Sequence, residues 1–187
     1  MNSIKFYSDL EKFPLSEFGK HFSNFRKTAF RLEQLSMFNV EEEREAIQKI
    51  RSGEPMPEDF NKEWLDILLS AQTAGKEFSR VRVIDGKLTE YQKFEINWGY
   101  KRSIKFGEDI RFIIRPEISL FETPVPITKD FWLFDEQHCF LMEYDYCGTF
   151  LGVTKVPDDS VQLYVDLMNE TKGASIPFDE ATKTLGL

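Results

Sequence analysis

The stretch that decides the fold is DFWLFDEQHCFLMEYDYCGTFLGVTK, residues 130–155. It contains three apolar runs, at residues 130–135, 138–144 and 149–155, and only short polar turns separate them. Runs of this length joined by so few residues are typical of consecutive β-hairpins. The segment therefore predicts an antiparallel meander.

The rest of the chain alternates between helical and extended periodicity. The predicted helices cover residues 15–25, 41–52, 61–75, a segment that begins after the capping residue Thr89, and 159–171. The predicted strands outside the meander cover residues 29–33, 78–84 and 109–115. Helices that precede a sheet with one inserted helix are typical of the α+β class. We expect a single domain over residues 1–187, with N-terminal helices packed on a mostly antiparallel sheet, a C-terminal meander and a final helix. The residues after Gly173 are expected to form a tail, which Pro177 and Phe178 pin to the body.

Composition and charge exclude several classes of protein. Of the 187 residues, 41% are hydrophobic and 18 are Phe, which supplies ample material for a core. The 24 Lys and Arg against 32 Asp and Glu give a net charge of −8, whereas binding to a phosphate backbone needs clustered basic residues. Direct nucleic-acid binding is therefore disfavoured. Apolar runs are too short to cross a bilayer and no secretory signal is visible, so we expect a cytoplasmic protein that does not enter membranes.

The sequence predicts no catalytic residue, metal site or cofactor. His138, Cys139 and Cys147 form the one grouping that resembles a zinc ligand set. Neighbours on a strand point to opposite faces, so His138 and Cys139 should diverge. No nucleophile elbow surrounds a Ser or Cys, and neither a dinucleotide fingerprint nor a P-loop is present.

Four acids at predicted strand ends form a second cluster: Glu108, Asp109, Asp130 and Asp135. Paired carboxylates hold Mg²⁺ in some proteins and divide acid and base roles in others. Asp at strand ends and turns, however, more commonly accepts hydrogen bonds from the backbone. We expect that capping role here.

The most informative polar pattern is a set of arginines on predicted strands. Arg80 and Arg82 share a strand face, and Arg111 lies on another strand. Two interpretations remain open. The guanidinium groups converge on a carboxylate or phosphate ligand, or they form a structural ion-pair network across an exposed sheet face with the nearby acids Glu33, Glu95, Glu108 or Asp109. The candidate ligand-binding residues are Arg31, Glu33, Arg80, Arg82, Tyr91, Glu95, Glu108, Asp109 and Arg111.

Several of these segments, taken in order, resemble one uncharacterised bacterial domain family that is abundant in actinobacteria and often encoded beside helix-turn-helix regulators. The matching pieces are Phe30-Arg31-Leu32-Glu33, Arg80-Val81-Arg82-Val83, Leu88-Thr89-Glu90-Tyr91, Gly107-Glu108-Asp109-Ile110-Arg111, Asp130-Phe131-Trp132-Leu133-Phe134-Asp135, and Tyr144-Asp145 with Gly148. The resemblance spans about residues 30–152. It implies a shared fold and a shared polar constellation, and it implies no particular reaction.

Two hypotheses about function follow. The first is a non-enzymatic regulatory or protein-interaction domain, which binds a basic DNA-binding regulator or a toxin through its acidic surface. The alternative is a sensor or enzyme that binds an anionic or nucleotide-like small molecule through a pocket of Arg and Glu side chains. The sequence carries no signal of the oligomeric state.

Overall fold

The computed structural model describes residues 12–115 and 129–187. Within these residues, seven strands form one sheet. The strands are β1 (Thr28–Glu33), β2 (Glu77–Asp85), β3 (Glu108–Arg115), β4 (Phe131–Phe134), β5 (His138–Tyr144), β6 (Phe150–Lys155) and β7 (Ile176–Pro177). Their order across the sheet is β6-β5-β4-β1-β2-β3-β7.

The sheet has a parallel centre and antiparallel edges. Strands β1, β2 and β3 pair in parallel, whereas β4 joins β1, and β7 joins β3, in the antiparallel sense. Strands β4, β5 and β6 form the predicted antiparallel meander. The expectation of an α+β fold with a mostly antiparallel sheet is thus confirmed. Parallel neighbours need long crossover connections. Helices occupy both of these connections, from β1 to β2 and from β2 to β3.

The helices are α1 (Leu15–Asn24), α2 (Glu41–Arg51), α3 (Lys62–Thr73), α4 (Glu90–Phe94), α5 (Lys101–Ser103), α6 (Val161–Ala174) and α7 (Phe178–Leu185). The predicted capping box at the start of α4 is confirmed, because Thr89 and Gln92 exchange side-chain and backbone hydrogen bonds. A π-helix, Glu95–Tyr100, separates α4 from α5. Helix α7 was not predicted; its residues were expected to form only a tail. No helix among the described residues has the length and apolarity needed to span a bilayer.

Apolar side chains cover both faces of the sheet. One face packs against α6 and includes Phe30, Leu32, Val81 and Val83. The opposite face packs against α1 and α3, and there a run of aromatic residues forms much of the core. In β4, Phe131 and Leu133 join the first cluster and Trp132 and Phe134 the second, as the alternation predicts. The functional question concerns the second face, because charged residues interrupt its apolar pattern.

Candidate functional site

Strand register brings charged side chains together at the centre of the sheet. In the parallel pair β1 and β2, Arg31 is the partner of Arg80 and Glu33 is the partner of Arg82. Alternation sends Phe30, Leu32, Val81 and Val83 to the α6 face, so these four charged residues share the opposite face. They lie at the middle of the sheet, where Arg31 is 3% exposed and Arg82 is 0% exposed.

Arg80 and Arg82 are held by buried carboxylates. Arg80 donates from Nη1 to Glu33 Oε1 at 2.7 Å and from Nε to Glu108 Oε1 at 2.8 Å. Arg82 donates from Nη2 to Glu95 Oε2 at 2.7 Å and from Nη1 to the carbonyl of Leu35. The guanidinium group of Arg82 therefore ties the π-helix and the segment after β1 to the centre of the sheet.

Arg31, like Arg82 at Nε, keeps one buried nitrogen without a hydrogen-bond partner in the described part of the chain. Its Nε lies 3.3 Å from Glu33 Oε1, and its Nη2 lies 3.0 Å from the Tyr144 hydroxyl and 3.5 Å from Asp130 Oδ2. Its Nη1 is buried and has no hydrogen-bond partner among the described residues. An unpaired buried N–H carries a desolvation cost of about 1–3 kcal/mol, more when the group is charged. Arg31 therefore retains one hydrogen-bond donor without an acceptor in residues 12–115 and 129–187.

The π-helix determines which residues reach this network. Its hydrogen bonds run to the fifth residue rather than the fourth, so Glu95 and Tyr100, five apart, point to the same side. The Tyr100 hydroxyl lies 2.8 Å from Glu33 Oε2 and 3.2 Å from Glu95 Oε1. A regular α-helix places residues three and four apart on one face, so it would separate this pair. The bridge between the two carboxyl groups thus depends on the π-helical turn.

The two carboxyl groups differ in acidity. Burial opposes the ionisation of Glu33, but the neighbouring Arg80 and Arg31 outweigh that effect and hold its pKa well below the ordinary value. Burial raises the pKa of Glu95 to about 8, although Arg82 acts in the opposite direction, and the negative charge of Glu33 adds to the rise. Burial, with Glu33 and Glu95 nearby, also raises the pKa of Tyr100. The pKa of Glu33 is thus lowered and that of Glu95 raised, so a proton that enters the network resides on Glu95 rather than on Glu33.

The network forms the floor of a cavity of about 840 Å³. Arg31, Glu33, Arg80, Glu95 and Tyr100 all line it. Ten aromatic residues contribute to its walls, from α1, from α3 and the loop before it, from the segment after β1, from α4 and from the meander: Phe18, Phe22, Phe38, Phe60, Trp64, Tyr91, Phe94, Trp132, Tyr144 and Phe150. A concave, largely apolar pocket with a few convergent polar groups is the usual form of a small-molecule site.

The nine candidate residues divide into three groups. Five of them, Arg31, Glu33, Arg80, Tyr91 and Glu95, line the cavity. Arg82 and Glu108 belong to the same ion-pair network without lining the cavity. The ion-pair interpretation therefore describes the floor well, and the network is buried, whereas an exposed sheet face was expected.

Asp109 and Arg111 lie away from this site. Arg111 donates from Nε to Ser175 Oγ at 2.9 Å and from Nη2 to the Ser175 carbonyl at 2.8 Å. Asp109 is exposed and alternates with Glu108, so it points to the other face of the sheet. The sequence left open whether Arg111 converges with the other three arginines. In the structure it does not, because it binds Ser175 instead.

The remaining predicted clusters do not assemble. Cys139 is buried in the α6-facing core, whereas the His138 ring packs against His21 with centroids 5.3 Å apart, so the two diverge as expected. Asp135 caps the backbone, accepting from the N–H groups of Arg26, Lys27 and Thr28. No group of His, Cys, Asp or Glu within residues 12–115 and 129–187 has the arrangement of a metal site.

Sequence reasoning missed two residues of the network. Tyr100 bridges Glu33 and Glu95, and Tyr144 accepts from Arg31. Tyr144 belongs to one of the segments that carry the family resemblance, which was a usable signal. Tyr100 had none, because its position depends on the π-helix.

The fold and site define an α+β domain with a buried ion-pair network at the floor of an aromatic cavity. The chain belongs to a family described as a domain of unknown function, DUF6879, whose model matches residues 16–182. The expectation of an uncharacterised domain family is thus confirmed. No curated protein matches the chain.

Proposed function

We propose that this domain binds a small organic molecule in the aromatic cavity and acts as a ligand sensor. The observation that carries the proposal is an 840 Å³ cavity lined by Arg31, whose buried Nη1 has no hydrogen-bond partner among the described residues. Buried donors in native proteins are nearly always paired, so an unpaired one in a ligand-sized cavity favours a bound partner. Arg80 supports this reading, since its side chain keeps 12% exposure at the same floor.

The proposal is one of binding without catalysis. The ionisable groups of the floor are engaged with each other: Arg80 with Glu33 and Glu108, and Arg82 with Glu95. A general base or nucleophile needs a group within hydrogen-bond reach of the reacting atom and free to exchange a proton with it. Such a network fits a rigid recognition surface better than a reactive one.

We further propose that ligand binding is passed on to a protein partner in the bacterial cytoplasm. The resemblance to actinobacterial domains encoded beside helix-turn-helix regulators supports a DNA-binding regulator as that partner, with a toxin as the alternative. The net charge of −8 supports a basic partner, because opposite charge steers association. Affinity purification of the tagged domain from its host at low and at high salt tests this; recovery of no stoichiometric basic protein at low salt contradicts it.

A thermal-shift screen against a broad metabolite library tests the cavity itself. The blocking variant is Gly19→Trp: Gly19 lines the cavity from α1, and a side chain there meets no atom within 4 Å at Cβ. The matched control is Gly173→Trp, which makes the same change on α6 with equal space and away from the cavity.

We expect at least one compound to stabilise the wild type and Gly173→Trp but not Gly19→Trp. A screen in which no compound stabilises the wild type contradicts the proposed function. Equal stabilisation of both variants contradicts the choice of cavity.

A further inference from the structure

The cavity combines available guanidinium donors with an excess of acids. Among its described lining residues, Glu33, Glu41, Glu43 and Glu95 face only two cations, Arg31 and Arg80. With a proton on Glu95, the charge of its partner Arg82 counts as well. The five carboxylates of the described lining and network then still exceed the three guanidinium groups, because Glu108 and Asp130 join Glu33, Glu41 and Glu43. An anion entering this cavity would lose its hydration without meeting net positive charge.

Two donor nitrogens nevertheless remain for a ligand. Arg80 uses Nε and Nη1 for carboxylates, so Nη2 is its remaining nitrogen, and Arg31 retains its unpaired Nη1. Arg31 and Arg80 are register partners on adjacent strands, which are about 4.8 Å apart. A neutral carbonyl or ring nitrogen accepts from such donors without adding charge.

The walls favour a ring. Phe22, Trp64 and Trp132 pack edge to face on one side, with ring centroids 4.9–6.1 Å apart. Phe38 packs against Tyr91 and Tyr144 on the other, at 5.8 and 5.1 Å. Such surfaces bind planar rings by stacking and edge contacts.

From these features we infer that the cavity selects an uncharged aromatic heterocycle, which presents a carbonyl or ring-nitrogen acceptor to Arg31 and Arg80, and that it discriminates against anions. The inference rests on the proposed function, since it names the ligand class of the same cavity. It differs from the anionic ligand that the arginine pattern alone suggested, because the carboxylates compensate the arginines.

Matched probe pairs test the ligand charge while the ring stays the same. Suitable pairs are nicotinamide with nicotinate, uracil with orotate, and indole-3-acetamide with indole-3-acetate; the second member of each is an anion at neutral pH. Titration calorimetry at pH 7 measures each pair against the wild type. We expect binding by at least one neutral member, with its anionic partner weaker by about tenfold or more.

Three variants show where the neutral probe binds. Gly19→Trp is expected to weaken the neutral probe by about tenfold or more, and Gly173→Trp to leave it unchanged. Arg31→Lys keeps the charge but removes Nη1, so it should weaken the neutral probe while preserving discrimination against the anion. Should Arg31→Lys fail to fold, Arg80→Lys serves the same purpose, because it removes Nη2.

Tighter binding of the anionic members, or no binding by any neutral member at millimolar concentration, overturns the inference. In either case the metabolite screen decides separately whether the cavity binds a small molecule at all. If a library compound stabilises the protein but no neutral probe binds, the proposed function stands and only the ligand class is wrong.

Discussion

Glu33 on β1 and Glu95 on the π-helix share a single hydroxyl group, that of Tyr100, at 2.8 and 3.2 Å. A tyrosine hydroxyl has one proton, so it donates to only one of them. Glu33, which is held by two arginines, is the ionised acceptor. One hydroxyl proton cannot serve both contacts, so the second hydrogen bond forms only when Glu95 carries a proton. Two carboxyl groups whose pKa values are shifted in opposite directions therefore share one hydroxyl group.

This difference predicts unequal effects of two isosteric substitutions. Glu33→Gln removes the negative charge that compensates Arg31 and Arg80, and should lower the free energy of unfolding by about 3–5 kcal/mol. Glu95→Gln replaces a protonated carboxyl by a neutral amide whose oxygen still accepts from Arg82, and should cost about 1 kcal/mol or less at pH 7. Urea denaturation of both variants measures the contrast; equal losses would contradict the assignment of the proton.

The raised pKa of Glu95 also predicts how stability depends on pH. Its folded pKa of about 8 exceeds the ordinary 4.5, so the folded protein retains a proton that the unfolded chain has released. Stability from this group is complete below the ordinary pKa and is lost as the pH rises toward 8. Glu33 behaves oppositely: its lowered pKa gives a contribution that is present above the ordinary value and lost only in strong acid.

The wild type should therefore lose on the order of 1 kcal/mol per pH unit between about pH 6 and pH 8 through Glu95. Glu95→Gln should lack this slope, because the amide does not titrate. Since other groups are the same in both proteins, the difference between their urea midpoints across this range isolates Glu95. Parallel pH profiles for the two proteins would rule out the protonated form.

Arg82 and Arg111 were grouped by sequence but should behave differently. Arg82→Met removes a fully buried cation that joins Glu95 to the Leu35 carbonyl, and should destabilise the fold by about 2–4 kcal/mol. Arg111→Met removes two hydrogen bonds to Ser175 and should cost about 1–2 kcal/mol. Arg111→Met should also leave the affinity for any cavity ligand unchanged. A ligand shift lost in Arg111→Met would place this residue in the site after all.

Gly148 controls one side of the cavity mouth. Its φ of 80° is left-handed, and an added Cβ would collide with the Met37 carbonyl oxygen. Met37 belongs to the segment after β1 that also carries Asn39, a residue of the cavity lining. Gly148→Ala should therefore lower stability by about 3 kcal/mol and weaken cavity binding. The matched control is Gly53→Ala, which has a φ of 74° and no neighbouring atom, and should cost about 1–2 kcal/mol. Equal Tm values for the two variants would argue against a constrained mouth.

Much of the site follows from alternation along the strands. Alternation in β1 and β2 places Arg31, Glu33, Arg80 and Arg82 opposite the aliphatic residues, and the sequence predicts this directly. Alternation alone does not predict the position of Arg111, because the register between β2 and β3 decides which face of β3 is turned toward the cavity. Register between non-local strands depends on tertiary packing, which a single strand does not encode.

Two helical features were not predicted from the sequence. Residues after Thr89 fit an α-helix, and the switch to π geometry at Glu95–Tyr100 depends on the buried partners of Glu95 and Tyr100. Helix α7 has apolar and small residues at helical spacing, with Phe178, Ala181 and Leu185 packed into the core. Its shortness, eight residues, explains why the segment was expected to be a tail, since isolated helices of that length are marginal.

The parallel pairing of β1 with β2 has a consequence for how the chain finds its native alignment. A shift of either strand by one residue would turn its arginines toward the apolar core beneath α6 and its apolar side chains toward the carboxylates. Unpaired charges in that layer would cost far more than mismatched methyl groups. The charged centre thus disfavours misregistered strand pairing during folding, which a purely aliphatic centre would tolerate.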